Sequence, residues 1–253
     1  MEKVSLERDE RGVLTLTINR EEKRNAVDYD VMQAFEEAIA QAETDDRVKM
    51  LAITGSGERA FCSGGDLSVF HELYTKEEAY GMLSKMGAIL HKLYKLPKPT
   101  VAFVNGTALG GGCEILTACD FRIAKEGVSF GFVQGKLAIT TGWGGATMLL
   151  ERIAKHDAMR LLMTAERYKA EDGHAVKLFS EVFPKETFRE DCQKWLDTFT
   201  AQDVTVLKAY KEASLRKLDL DKLYNDMFAE IERCSILWEA DAHHDAVNAF
   251  LTK

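Results

Sequence analysis

Residues 108–120 read ALGGGCEILTACD, where three consecutive glycines lead into an apolar run that holds a single carboxylate, Glu114. Glycine loses more backbone freedom on folding than any other residue, so a triple glycine is costly inside a regular helix or strand. The run from Gly112 onward predicts a helix, and the N–H groups of Gly111 and Gly112 would be free donors at its positive end. The stretch therefore predicts a turn that presents backbone N–H groups beside a buried carboxylate.

Apolar strands lie on both sides of this turn. Residues 100–106 (TVAFVNG) precede it and residues 120–127 (DFRIAKEG) follow it. The other predicted elements are strands at 4–8, 13–20, 48–55 and 180–183, and helices at 28–43, at 76–93 and, in separate pieces, through most of the chain after residue 154. Strands separated by helices indicate an α/β fold with parallel strands. We expect an α/β core of about 200 residues with a helical C-terminal appendage.

A second glycine loop has a similar composition. The strand at 48–55 leads into GSGERAFCSGGDL (55–67), where Gly64 and Gly65 are followed by Asp66. One N–H from each loop, directed at the same carbonyl oxygen, would form an oxyanion hole, and each such donor typically contributes about 3–4 kcal/mol in a transition state. Alternatively, the glycines only form turns, and the acidic residues only cap the helices that follow or complement their dipoles.

The composition restricts the function classes. The chain has 253 residues, and 33 basic against 41 acidic side chains give a formal charge of −8, which argues against nucleic-acid binding. A small anionic ligand stays possible, because it needs only a few local cations or helix N-termini. Five scattered cysteines predict free thiols in a reducing compartment. No long uncharged apolar run occurs and the N-terminus is charged, so we expect a cytoplasmic protein without a membrane span.

Several common catalytic motifs are missing from the sequence. Gly110-x-Gly112 has no third glycine or alanine at Ile115, so it does not match a dinucleotide-binding fingerprint. The sequence has no Walker pattern and no G-x-S-x-G nucleophile elbow. It also has no C-x-x-C or H-E-x-x-H motif, and the adjacent His243 and His244 would point apart on a helix. We therefore expect no metal site.

Two segments carry a resemblance to a known family. Residues 60–67 (AFCSGGDL) and 105–124 (NGTALGGGCEILTACDFRIA) resemble the two oxyanion-loop signatures of the crotonase, or enoyl-CoA hydratase/isomerase, superfamily. Residues 14–28, 130–145 and 239–253 are similar to the same family, so the resemblance covers nearly the whole chain.

The resemblance implies both a fold and an assembly. It implies an α/β fold, a crotonase-type spiral of ββα units, over residues 1–200. It implies a helical C-terminal region at 201–253 that supports a homotrimer or a hexamer built as a dimer of trimers. The implied substrate is an acyl-CoA thioester, with no metal and no cofactor apart from the coenzyme A of the substrate.

The resemblance also implies catalytic roles. The backbone N–H groups of Gly65 and Gly111 would bind the thioester oxygen, and Glu114 would be the acid/base. The family hydratases carry a second glutamate after the Phe-Gly pair, and that place falls on Gln134 here. An amide cannot take up or deliver a proton near neutral pH as a carboxylate can, so Gln134 would orient water or a substrate group.

The loops around the two glycine turns supply the implied contacts with the CoA thioester. These residues are Lys23, Arg24, Ala26, Cys62, Gly64, Gly65, Asp66, Leu67, Gly111 and Trp143. Several of these residues have an alternative, purely structural explanation. Asp66 could cap a helix, Lys23 and Arg24 could be a solvated basic pair, and Cys62 could be a small apolar filler.

Three functions follow, in order of preference. The first is hydratase or isomerase chemistry on an enoyl-CoA, because Glu114 sits where the hydratases keep a catalytic carboxylate. The second is decarboxylation of a methylmalonyl- or ethylmalonyl-type CoA thioester, because loss of CO₂ generates the enolate without a base and Gln134 replaces a glutamate. The third, from another class, is a non-catalytic acyl-CoA-binding subunit.

Overall fold

A computed structural model describes residues 2–252 of the chain. Its strands are β1 (Val4–Arg8), β2 (Val13–Ile18), β3 (Met50–Gly55), β4 (Ala60–Cys62), β5 (Thr100–Val104), β6 (Thr107–Leu109), β7 (Phe121–Lys125), β8 (Ser129–Gly131), β9 (Tyr168–Lys169) and β10 (Glu181–Phe183). Its α-helices are α1 (Tyr29–Thr44), α2 (Leu67–Phe70), α3 (Lys76–Tyr94), α4 (Gly111–Ala118), α5 (Gly145–Arg152), α6 (Lys155–Thr164), α7 (Ala170–Ala175), α8 (Phe188–Thr200), α9 (Val204–Leu215), α10 (Leu220–Trp238) and α11 (Asp241–Leu251).

The predicted strands form one six-stranded sheet. Its order is β1-β2-β3-β5-β7-β10, and every pair is parallel except the antiparallel pair β1–β2. β2 ends at Ile18 instead of reaching residue 20, because the Arg20 N–H donates to the Asn25 side chain at 3.0 Å and leaves the ladder. Helix α1 starts where expected, since the Asp28 carboxylate accepts the N–H of Val31.

A second sheet was not predicted. Strands β4, β6, β8 and β9 form it in that order, and each has only two or three residues. Such short pieces, interrupted by glycine, show no readable alternation of apolar and polar side chains. Consecutive strands alternate between the sheets, as in β3–β4, β5–β6 and β7–β8, and this repeat confirms the expected spiral of ββα units.

The second sheet sets the position of the glycine loops. β4, β6 and β8 are parallel neighbours, so the segments that leave their carboxyl ends emerge side by side. These segments begin at Ser63, Gly110 and Phe132. The two glycine turns and the Gln134 segment thus meet at one edge of one small sheet.

The helices cover both layers. α8 packs Phe188, Cys192 and Leu196 against apolar side chains of the large sheet. α10 packs along α3 and α5, and its Met227 and Ile231 belong to the main core. The boundary at residue 200 between core and oligomerisation region stays a prediction. None of the helices within residues 2–252 is long and apolar enough to cross a membrane.

Candidate active site

A pocket of about 430 Å³ opens where the loops after β4, β6 and β8 meet helices α3, α10 and α11. The loops contribute Gly65, Gly111 and Gln134 to its lining, and α4 contributes Glu114. All four were predicted from the sequence as catalytic residues, and in the folded chain they line the same cavity. Their catalytic roles stay proposals.

The two glycine turns touch each other. Gly64 has φ +99°, in the left-handed region, and a Cβ added there would lie 3.0 Å from the Gly111 nitrogen. The hydrogen bonds within residues 2–252 include none donated by the backbone N–H of Gly65 or Gly111. Two free donors from adjacent turns therefore line one pocket, an arrangement that can bind a single carbonyl oxygen.

Each glycine of the triple glycine has its own structural reason. Gly110 has φ +55°, which an L side chain rarely adopts. At Gly111 an added Cβ would overlap ring carbons of Trp143, and at Gly112 it would overlap the carbonyl of Cys62. Helix α4 starts at Gly111, one residue earlier than expected. The run of glycines lets the helix N-terminus approach both the first loop and the indole.

Glu114 is 2% exposed, and its carboxylate accepts four hydrogen bonds. Oε1 accepts the Gln134 side-chain N–H at 2.9 Å and the Gly142 N–H at 3.2 Å. Oε2 accepts the N–H groups of Trp143 and Gly145 at 2.8 and 2.9 Å. Burial, helped by the charge of Glu230, raises the pKa of Glu114 to about 8, while the backbone donors act in the opposite direction. A carboxyl that titrates near neutral pH suits proton transfer.

Gln134 lies in a 3₁₀ turn, Val133–Leu137, that follows β8. Its Nε2 is the one side-chain donor to Glu114 within the described part of the chain. Its Oε1 is buried and has no hydrogen-bond partner among residues 2–252. The amide therefore restrains Glu114 on one side and keeps a free acceptor on the other.

Other predicted binding residues are divided between the pocket and its surroundings. Arg24, Gly64, Leu67 and Trp143 line the pocket, with Arg24 exposed at the surface. Lys23 and Ala26 do not line it. Lys23 reaches the Ser68 hydroxyl at 3.4 Å, and the Ala26 carbonyl accepts a hydrogen bond from Arg20.

Asp66 and Cys62 lie beside the pocket without lining it. The Asp66 carboxylate caps α2 through Ser68 and pairs with the buried Arg20 guanidinium at 2.7 Å. Burial raises the pKa of the Cys62 thiol to about 12, so this sulfur is a packing group and a poor nucleophile. All five cysteines are buried and free.

The side chains that close the pocket from the helices were not predicted from the sequence. Phe70, Met82 and Leu83 come from α2 and α3, and Trp238 and Phe250 come from α10 and α11. Each lies on the apolar face of a helix, where a pocket residue and a core residue give the same pattern. Within residues 2–252 no group of three or more metal-ligating side chains occurs.

Comparisons with known proteins agree with this architecture. A family model described as enoyl-CoA hydratase/isomerase matches residues 8–253. A short-chain-enoyl-CoA hydratase of Clostridium acetobutylicum is 31% identical over 95% of this chain and 92% of its own length. An ethylmalonyl-CoA decarboxylase of Rattus norvegicus is 30% identical over 96% of this chain and 82% of its own. The crystal structure of an enoyl-CoA hydratase from Bacillus halodurans superposes with TM-score 0.89, at 23% identity, over 98% of this chain and 99% of that one.

Proposed function

Because the chain belongs to the enoyl-CoA hydratase/isomerase family, we propose that its pocket binds a short-chain enoyl-CoA and catalyses hydration or isomerisation of the double bond. One observation carries the proposal: the two free N–H groups of Gly65 and Gly111 line the same cavity as the buried carboxylate of Glu114. The first pair can stabilise an enolate oxygen, and the carboxylate can move the proton that the reaction requires.

The thioester oxygen accepts the N–H groups of Gly65 and Gly111. As the oxygen of water bonds to Cβ, Glu114 takes a proton from that water, and negative charge moves to the thioester oxygen. The positive end of α4, which begins at Gly111, lies beside this oxygen and stabilises the enolate. The proton then passes from Glu114 to Cα, so water has added across the double bond and the carboxylate is restored.

Glu114 needs a free lone pair on its carboxylate to take this proton. All four of its hydrogen-bond positions are occupied, so one donor has to leave first. The other three donors are backbone N–H groups, two in the turn before α5 and one at its first residue, Gly145, and they cannot leave singly. Gln134 is the donor that can rotate away when water enters, and its Oε1 can then accept the other hydrogen of that water. This gives the amide a positioning role without proton transfer.

The entrance of the pocket supports a substrate with a phosphate-rich tail. Arg24, Lys136 and Arg167 line it with exposed side chains, although the chain as a whole carries a charge of −8. Arginine and lysine bind phosphate oxygens through charge-assisted hydrogen bonds. No metal and no separate cofactor is part of the proposal.

Incubation with crotonyl-CoA in deuterated water, followed by mass spectrometry, tests the function. We expect 3-hydroxybutyryl-CoA that carries one deuterium on Cα, and isomerised product from a 3-enoyl-CoA. A protein that converts neither thioester contradicts the proposal. Glu232→Gln, on the exposed side of α10, is the control variant and should retain wild-type turnover.

Decarboxylation is the second candidate, and Gln134 is the observation that favours it. An amide replaces the second family glutamate, and a decarboxylase needs no base because C–C cleavage itself releases CO₂ and forms the enolate. The similarity to the Rattus norvegicus ethylmalonyl-CoA decarboxylase supports the same candidate. Release of CO₂ from ethylmalonyl-CoA with crotonyl-CoA untouched would select it. Turnover of either thioester would exclude a non-catalytic binding subunit.

The pH dependence separates the two chemistries. If Glu114 is the base, kcat/KM for crotonyl-CoA rises with pH about tenfold per unit and levels off near its pKa of about 8. The sign follows because the active form is the carboxylate, which is the minor form below that pKa. Steady-state rates from about pH 5.5 to about pH 9.5, a range that extends to both sides of this pKa, measure the limb. A flat profile contradicts the assignment.

Trp143 is expected to limit the size of the acyl group. Its indole lies against Gly111 and Gly65, next to the site proposed for the thioester carbon. Trp143→Leu should raise kcat/KM for octenoyl-CoA relative to crotonyl-CoA at least about tenfold, since each methylene in an apolar pocket is worth about tenfold or more. Trp195→Leu is the matched control, because Trp195 packs on Phe121 and Phe199 outside the pocket. An unchanged ratio in Trp143→Leu contradicts the role.

We also propose a trimeric or hexameric assembly through residues 201–253, in the reducing cytoplasm. Several large apolar side chains of α9 and α10 are exposed, among them Val206, Tyr210, Tyr224 and Ile236. Large apolar side chains that a single subunit leaves exposed on two helices favour an interface between subunits. Light scattering after size-exclusion chromatography measures the assembly, and a monomer at micromolar concentration would contradict it.

A further inference from the structure

Two carboxylates, the buried Glu114 and the half-buried Glu230, share the N-terminus of helix α5. Glu114 comes from α4 and accepts the N–H of Gly145 at 2.9 Å. Glu230 comes from α10 and accepts the N–H groups of Ala146 and Thr147 at 3.1 and 2.8 Å. Three successive N–H groups of one helix end are therefore divided between two acids that belong to different helices, α4 and α10.

Glu230 also fixes the turn that supplies the donors of Glu114. Its Oε1 accepts the Thr141 hydroxyl at 2.5 Å, and its Oε2 accepts the Thr147 hydroxyl at 2.7 Å. Thr141 and Thr147 flank the segment whose Gly142, Trp143 and Gly145 N–H groups bind Glu114. Displacement of Glu230 would thus move the backbone that holds the acid/base.

Within the described part of the chain neither Glu114 nor Glu230 forms an ion pair, so no cation there offsets the two acids. The other groups facing Glu114 are the Gln134 amide and the thiols of Cys113 and Cys234, whose pKa values burial raises so that they stay neutral. Glu230 is therefore the charged group that acts on Glu114. Burial raises the pKa of Glu230 as well, and two acids of like charge at one helix end favour retention of a proton.

We propose that Glu230 is a positioning residue for the reaction: it orders the turn from Thr141 to Thr147 and places a second negative charge at the helix end that binds Glu114. This inference rests on the proposed function of Glu114 as acid/base. Nothing in the family signatures at 60–67 or 105–124 points to α10, so the residue becomes visible only in the fold.

Glu230→Gln tests the charge with little change in shape. We expect the acid limb of the pH–rate profile for crotonyl-CoA to move to lower pH by about one unit, because removal of a like charge favours the Glu114 carboxylate. Glu232→Gln, two residues along the same helix and paired with the exposed Lys76, should leave the limb in place. A limb that does not move in a folded Glu230→Gln protein overturns the proposal.

Two further measurements separate the positioning role of Glu230 from its charge effect and from the proposed function. Glu230→Asp keeps the charge but withdraws the carboxylate from Thr147. We expect kcat to fall about tenfold or more while the acid limb of the pH–rate profile does not move; wild-type kcat would contradict the positioning role.

The protonated-carboxyl C=O stretch of Glu114, assigned by its loss in Glu114→Gln, gives the titration of Glu114 by infrared spectroscopy without turnover. If crotonyl-CoA is not converted, the proposed function fails, yet an infrared titration unchanged by Glu230→Gln would separately overturn the role of Glu230.

Discussion

Glu114→Gln is expected to lower kcat for crotonyl-CoA by about 10²–10⁴-fold, the usual contribution of general acid–base catalysis. The amide has nearly the same size, but it can neither take a proton from water nor give one to Cα. The KM should change little, because the thioester oxygen is bound by backbone groups of Gly65 and Gly111. Stopped-flow or steady-state absorbance at the enoyl-thioester band measures the loss.

The fold of that variant has to be checked, because the new amide NH₂ would face backbone N–H groups that now donate to Glu114. Circular dichroism and a binding measurement with a saturated acyl-CoA serve this purpose. A folded Glu114→Gln protein that binds acyl-CoA and retains more than half of the wild-type kcat would contradict the acid/base assignment.

Gly111→Ala is expected to cost about 10²–10³-fold in kcat, the effect of losing one oxyanion donor. The added Cβ would overlap the indole of Trp143, so the start of α4 must shift away from the pocket and take its N–H along. The matched control is Gly81→Ala in α3, where an added Cβ meets nothing within 4 Å. That variant should keep its activity and gain about 0.5–1 kcal/mol of stability, the helix preference for alanine.

The double variant Gly111→Ala/Trp143→Leu separates the clash from the donor. Removal of the indole gives the new methyl group room, so part of the lost kcat should return. If Gly111→Ala alone is fully active, the N–H of Gly111 has no catalytic role. If kcat of the double variant is no higher than kcat of Gly111→Ala, the helix shift is not caused by Trp143.

The large sheet could be predicted from the sequence because its strands are long enough to show their patterns. β2 alternates apolar and polar residues, and β3 and β5 are continuous apolar runs. The small sheet could not be predicted, because β4, β6 and β8 have three residues each and derive their stability from neighbouring strands. Yet this small sheet aligns the three loops of the site.

The candidate site was predictable only where the chain is locally unusual. The triple glycine and the Gly64-Gly65 pair predicted two turns. The family resemblance predicted that Gln134 acts together with Glu114. Glu230 gave no signal, since an acidic residue on an amphipathic helix is ordinarily a solvated one. Its partial burial depends on how α10 packs along α5, a long-range contact that no local pattern encodes.

Formation of an enolate with Glu114 as the base is the central claim for hydration and isomerisation, and proton exchange tests it most directly. Butyryl-CoA, which has no double bond to hydrate, would be incubated with the protein in deuterated water and its Cα hydrogens followed by NMR. We expect deuterium to enter Cα with the wild-type protein and with Gly81→Ala, and to enter at least about 100-fold more slowly with Glu114→Gln. Exchange no faster than in buffer, or exchange that is equally fast in Glu114→Gln, would contradict the account.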